Sequence, residues 1–78
     1  MKLYVAFGDM GQYDGGTYLL AVCDSLDTAI NIVEENCKKK FCEHENGEVQ
    51  EVILNQMADN FEEDTHYFKN NIKKWRYR

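Results

Sequence analysis

The chain has 78 residues, the size of one small domain, and 44% of them are hydrophobic, which argues against a disordered chain. Its formal net charge of −5 divides unevenly: residues 1–68 hold all 14 acidic residues and four lysines, whereas residues 69–78 hold five cations and no acid. An acidic body repels nucleic acid, and no apolar run approaches the roughly 20 residues that a membrane-spanning helix needs. We therefore expect a single domain, 1–78, that is cytoplasmic and makes no contact with a membrane.

Two strands open the chain. Lys2–Phe7 alternates with a two-residue period and has apolar residues on both faces, which predicts an interior strand. Residues 8–16 hold four glycines and two aspartates and predict a loop. Thr17–Cys23 is rich in β-branched, aromatic and aliphatic residues, which predicts a second strand.

An amphipathic helix follows. Asp24 and Ser25 are suited to cap its first turn, and apolar residues from Leu26 to Cys37 recur at helical spacing. Three lysines, at positions 38–40, end the pattern at the negative pole of the helix dipole. The pattern predicts a helix over about residues 25–40.

The second half predicts strands. Asn46-Gly47 is typical of a tight turn, which would allow residues 41–45 to pair back against a third strand, Glu48–Leu54. Residues 61–77 fit either a helix or a hairpin around Asn70-Asn71; the adjacent asparagines and the aromatic, β-prone ending favour the hairpin.

The predicted fold class is therefore α+β: a small antiparallel sheet in the order β-β-α-β-β-β, with one amphipathic helix packed on one face. In a chain this short we also expect a core rich in large rings, and the candidates are Tyr4, Phe7, Tyr18, Phe41, Phe61, Phe68 and Trp75.

Cys37, Cys42 and His44 are candidate zinc ligands, with Cys23 or His66 as a fourth ligand. There is no second closely spaced cysteine pair, and Cys37 lies on the apolar stripe of the helix, where a thiol packs as a small hydrophobe. We expect no metal and no cofactor.

Catalytic chemistry is not predicted. The loop at residues 8–16 lacks the glycine spacing of a phosphate-binding loop and carries carboxylates that repel phosphate. Three cysteines and two histidines make some Cys–His proximity expected by chance, and so small a domain has little room for a water-excluding pocket. We expect a protein that is not an enzyme.

Two charged surfaces are candidates for binding. For a partner protein, the candidate residues are Asp9, Tyr13, Asp14, Glu62, Glu63 and Asp64. For nucleic acid, the alternative is the basic aromatic C-terminal strand or tail at 69–78, through Lys73, Lys74, Trp75, Arg76, Tyr77 and Arg78. A third hypothesis is a homodimeric interaction module joined through an edge strand.

The order of segments carries a resemblance. A strand, a Gly/Asp/Tyr loop, an aliphatic strand, a helix opening at Ser25 with Ala29, and a strand Val49–Leu54 containing Glu51 follow one another over residues 2–55. In this respect the chain resembles a loose group of short phage and mobile-element proteins of bacteria. Some small proteins of that origin, including anti-CRISPR proteins, disable host defences by occupying a binding surface.

The resemblance implies a non-enzymatic phage or mobile-element protein that binds a host protein, as an anti-CRISPR or other anti-defence inhibitor acting through an acidic surface. If the acidic residues cluster, they imitate a phosphate backbone, and the host partner is then a nucleic-acid-binding effector. Residues after Asn55 depart from the pattern of the group.

Overall fold

The computed structural model describes residues 1–9, 16–39, 45–57, 65–70 and 72–77. They form five strands and one helix, namely β1 (Lys2–Asp9), β2 (Thr17–Cys23), α1 (Leu26–Lys39), β3 (Asn46–Ile53), β4 (Thr65–Lys69) and β5 (Lys74–Tyr77). The predicted α+β class and the predicted order of elements are confirmed. Within these residues, no helix is both long enough and apolar enough to span a membrane.

The strands form one antiparallel sheet in the order β2-β1-β3-β4-β5. β1 lies between β2 and β3, as its two apolar faces predicted. β2 and β5 form the two edges of the sheet.

Helix α1 covers one face of the sheet, mainly over β1, β2 and β3. Ala6 of β1 and Val49 of β3 are directly paired and fully buried beneath Ala29 and Val33 of the helix. A Cβ on Gly47 would lie 2.2 Å from Cγ1 of Val33, so the absence of a side chain there lets the helix approach the sheet. The helix begins where predicted, and the amide of Ala29 donates to the Ser25 carbonyl at 3.2 Å.

The loop predicted after β1 begins later than expected. β1 continues through Gly8 to Asp9, whereas the sequence placed both in the loop. Gly8 pairs with Tyr18, whose ring crosses its Cα so closely that a Cβ would lie 2.4 Å from the ring carbon Cζ. This glycine does not form a turn; it makes room for the Tyr18 ring, which lies over it on the helix side of the sheet. The rest of that loop, residues 10–15, lies outside the described residues.

The predicted turn at Asn46-Gly47 is also wrong. Both residues belong to β3, where Asn46 pairs with Asp9 and Gly47 pairs with Gly8. Pairing with β1 along the full length of β3 outweighs the local turn preference of the dipeptide. The predicted strand partner, residues 41–45, lies outside the described residues except for Glu45, which is in neither a strand nor a helix.

The C-terminal hairpin is confirmed, with a longer connection than predicted. Lys69 pairs with Lys74; Asn70, Ile72 and Lys73 are turn residues, so Ile72 is not in a strand. The amide of Ile72 donates to the Lys69 carbonyl at 3.3 Å, and Lys73 adopts a positive φ of 48°.

Among the described residues, the core contains fewer large rings than predicted, and Tyr18 is half-buried beside Glu45 rather than in the core. Its buried members are Ala6, Cys23, Ala29, Val33, Cys37, Val49 and Phe68. Tyr4 and Trp75 pack at its border, and Phe7 points to the opposite face of the sheet. Phe41 and Phe61 lie outside the described residues.

Candidate functional site

The face of the sheet opposite α1 carries apolar side chains on β1 and β2 and cationic side chains on β4 and β5. We call it the open face, and define it by the register as Leu3, Val5, Phe7, Asp9, Thr17, Leu19, Val22, Asn46, Glu48, Gln50, Val52, Thr65, Tyr67, Lys69, Lys74 and Arg76. Thr65 is buried and its hydroxyl donates to Oε1 of Gln50. No element among the described residues packs against this face. An antiparallel sheet with one solvated face ordinarily alternates apolar and polar residues, so apolar residues on both sides require an explanation.

The apolar half of the open face lies on β2 and β1. Leu19 and Val22 are 61% and 58% exposed. They flank Phe7 and Val5, their direct neighbours in register, which are half-buried. Contiguous exposed aliphatic and aromatic side chains of this kind mark interaction surfaces.

The basic half lies on β4 and β5. Lys69 and Lys74 are directly paired, and Arg76 pairs with Tyr67; all three cationic residues are exposed. One row therefore crosses all five strands, from Leu19 through Phe7, Glu48 and Tyr67 to Arg76. Along this row the surface changes from apolar at one edge to cationic at the other.

A carboxyl group lies in the middle of the row. Burial raises the pKa of Glu48 above its ordinary value, and the nearby charge of Asp9 raises it further. Deeper burial by a partner would increase the cost of keeping this carboxylate ionised. The middle of the open face is therefore suited to an apolar or hydrogen-bonding partner group.

The predicted acidic site is only partly visible. Asp9 lies on the open face at the end of β1, whereas Tyr13, Asp14 and residues 62–64 lie outside the described residues. Several other carboxylates make internal contacts: Glu34 with Trp75, Glu35 with Lys38, Glu45 with Tyr18, and Glu51 with His66 and Lys2. These four carboxylates are therefore engaged with neighbouring side chains of the same molecule.

The predicted basic tail is divided between two faces. Lys74 and Arg76 reach the open face, whereas Trp75 lies on the helix side, stacked on Phe68 with ring centroids 5.1 Å apart. The Trp75 indole Nε1 donates to Oε1 of Glu34 at 2.8 Å. Trp75 thus serves packing, and it does not lie on the same face as the two cations.

The remaining tail residues occupy separate places. Lys73 is exposed in the turn between β4 and β5. Tyr77 ends β5 and pairs with His66. Arg78 lies outside the described residues.

The candidate metal and nucleophile residues are not brought together. Cys23 lies on β2 and His66 on β4, with β1 and β3 between them. Cys23 and Cys37 are free and buried, and Cys42 and His44 lie outside the described residues. Among the residues the structure describes, no three His, Cys, Asp or Glu side chains are placed to hold a metal ion.

The Cys37 thiol is held in its neutral form. Burial, followed by the charges of Glu45 and Glu34, raises its pKa to about 11. The thiolate is the nucleophile and the metal ligand, so this residue is poorly suited to either role at neutral pH.

Sequence reasoning missed the apolar half of the open face. The signal was available, because β1 has apolar residues on both faces and the chain contains one predicted helix. One helix covers only one face of a sheet, which leaves the second set of apolar residues without a partner.

Comparisons with known proteins add no assignment: no family model matches the chain, and no similar curated protein or solved structure was found. The resemblance to small phage and mobile-element proteins stays a prediction.

Proposed function

We propose that the protein acts by binding another protein through its open face, without catalysis. The observation that carries this proposal is the exposure of Leu19 and Val22, at 61% and 58%, beside the half-buried apolar residues of β1. Burying such side chains contributes about 25 cal/mol per Å² of apolar surface removed from water, which favours a protein partner over solvent.

The partner has a defined chemistry. The partner presents an apolar patch to β2 and β1. Beside that patch, it presents carboxylates to Lys69, Lys74 and Arg76. Charge complementarity of this kind fixes the orientation of a partner and speeds its association. The electrostatic sign is the reverse of the one expected from the acidic composition, since the exposed charges on this face are mostly cationic.

The resemblance in the sequence extends the proposal to a host protein as partner and to an anti-CRISPR or similar inhibitory role. That extension is supported by the resemblance alone. Binding through a surface is the part supported by the arrangement of side chains.

The experiment is a tagged pull-down from a bacterial lysate with nuclease, followed by purification of the captured protein and measurement of its affinity. We expect Leu19→Asp combined with Val22→Asp to weaken that affinity by more than about tenfold, and Lys74→Glu with Arg76→Glu to weaken it as well. Ile72→Asp is the matched control, because Ile72 is 59% exposed and lies in the β4–β5 turn. Equal affinity of all these variants, or the absence of any partner sensitive to them, would contradict the proposal.

Nucleic acid is the second candidate, favoured by the cluster of Lys69, Lys74 and Arg76 beside Tyr67 on one face. This candidate requires salt-sensitive binding of labelled single-stranded DNA or RNA, lost in Lys74→Glu with Arg76→Glu and on truncation after Asn71. Because Trp75 is engaged with Glu34, Trp75→Phe should leave that binding unchanged. No binding at low salt would end this candidate.

A further inference from the structure

The second surface of interest is the outer edge of β2 together with the groove beside it. β2 has one neighbour in the sheet, β1, and no described strand pairs with its other side. Alternate residues of an edge strand direct their N–H and C=O groups outward, ready to pair with another strand.

The two edges of the sheet are protected differently. β5 carries Lys74 and Arg76, the kind of charge that discourages pairing with a foreign strand. Thr17–Cys23 contains no charged residue and no proline, so β2 lacks that protection. Its one irregularity is a bulge at Leu20, where the register with β1 shifts, and Ala21–Cys23 continues in regular pairing.

A groove of about 410 Å³ runs between β2 and α1. Leu20 and Ile32 supply its apolar walls, and both also pack against the core. Its other lining residues are Thr28, Asn31, Glu35, Asn36 and Lys39. A bulge redirects a side chain, and here the extra residue in the strand is the one that lines the groove.

The charges around the groove are polarised along its length. Two residues connect β2 to α1, so the helix runs back along the strand, and Asn36 Nδ2 donates to Tyr18 Oη at 2.9 Å. The exposed residues Asp24 and Asp27 therefore lie at the Cys23 end of the groove, and Lys39 lies at the Thr17 end. Glu35 also lines the groove near Lys39, where its charge is paired with Lys38 at 3.3 Å.

We propose that this groove binds an extended segment of a partner protein, which adds to β2 as an antiparallel strand and inserts an apolar side chain between Leu20 and Ile32. Antiparallel pairing places the N-terminal end of the segment at Asp24 and Asp27 and its C-terminal end at Lys39. The segment therefore carries cations before the apolar residue and carboxylates after it. Main-chain hydrogen bonds supply affinity in this mode of recognition, and the groove supplies specificity.

This surface is separate from the open face. Lys74 and Arg76 lie on the open face at the opposite edge of the sheet, so variants of these two residues distinguish the two surfaces.

The test uses two labelled β-strand peptides with the same central valines and leucine. One has lysines at its N-terminal end and glutamates at its C-terminal end, and the other has these charges exchanged. We expect the protein to bind the first at least about tenfold more tightly by fluorescence anisotropy, and Asp27→Lys with Lys39→Glu to invert that preference. Methylating the alternate peptide nitrogens that face β2 removes the main-chain donors that pair with this strand, and it should abolish binding.

Variants locate the bound peptide. Thr28→Trp fills the groove from an exposed position and should weaken binding by about tenfold, as should Ile32→Asn if circular dichroism shows it folded. Lys74→Glu with Arg76→Glu, at the opposite edge of the sheet, should leave peptide binding unchanged while weakening the partner of the open face. No binding of either peptide at ~1 mM, equal binding of both, tighter binding of the second peptide, or loss of binding in Lys74→Glu with Arg76→Glu would overturn the proposal, without deciding whether the open face binds its own partner.

Discussion

The indole of Trp75 and the carboxylate of Glu34 form a side-chain hydrogen bond that joins the C-terminal hairpin to the helix, with Nε1 and Oε1 2.8 Å apart. They are 41 positions apart in sequence. The bond connects β5, an edge strand, to α1, which packs over β1, β2 and β3. Side chains alternate along β5, so Trp75 takes the helix side while the cations on either side of it take the other face.

Trp75→Phe keeps the stacking on Phe68 and removes the donor to Glu34. We expect a loss of about 1 kcal/mol in the free energy of unfolding, measured by urea denaturation, because the partly buried carboxylate of Glu34 loses its hydrogen-bond donor. In a Glu34→Ala background the same change should cost clearly less. An equal cost in both backgrounds would mean that the bond contributes nothing to stability.

Gly47→Ala tests the close approach of helix and sheet. The added methyl would meet Cγ1 of Val33, a short buried side chain that has little room to move. We expect a loss of about 1–3 kcal/mol in the free energy of unfolding.

Val33→Ala removes the clashing atom but has a cost of its own, because Val33 is fully buried. The double variant should therefore lose less stability than the sum of the two single changes, and an additive or larger loss would mean that the contact is not the source of the cost.

Glu48→Gln tests the carboxyl group in the middle of the open face. The pKa of Glu48 is raised in the folded protein by burial and by Asp9, so ionisation opposes folding. Protonation of Glu48 therefore stabilises the folded state. This stabilisation is fully present below the unfolded pKa of about 4.3 and is lost as pH rises through the raised folded pKa. We therefore expect Glu48→Gln to raise Tm at pH 7 and to have little effect near pH 4.

Glu35→Gln is the control for that measurement. Glu35 is exposed and pairs with Lys38 at 3.3 Å, so its neutralisation should not raise Tm at pH 7. A Glu48→Gln variant with the same Tm difference at both pH values would contradict the linkage.

Cys37 should resist alkylation in the folded protein. With its pKa raised to about 11 and its side chain buried, little thiolate is available near pH 8. We expect iodoacetamide to modify Cys37 in the folded protein at less than about one hundredth of the rate in the unfolded chain. Peptide mass spectrometry measures both rates. Rapid modification under native conditions would show that the helix opens easily or that the thiol is not buried.

The sequence determined the elements and their order. The apolar spacing of Leu26–Cys37 and the capping residues before it predicted α1 almost to its ends, and the two-residue alternation of β1 predicted an interior strand. The hairpin at the C-terminus followed from adjacent asparagines and β-prone aromatic residues. These features are local: the periodicity of side chains and the φ and ψ preferences of a few neighbouring residues decide them.

The tertiary structure alone decided which strands pair, and with them every surface proposed here. Asn46-Gly47 has the local preference of a turn, yet pairing with Asp9 and Gly8, far away in sequence, holds both residues in β3. The same non-local register divides Lys74 and Arg76 from Trp75 and leaves Leu19 and Val22 exposed opposite the helix. A shift of one residue in register exchanges the two faces of a strand, so the placement of these side chains depends on contacts between distant segments that no local pattern encodes.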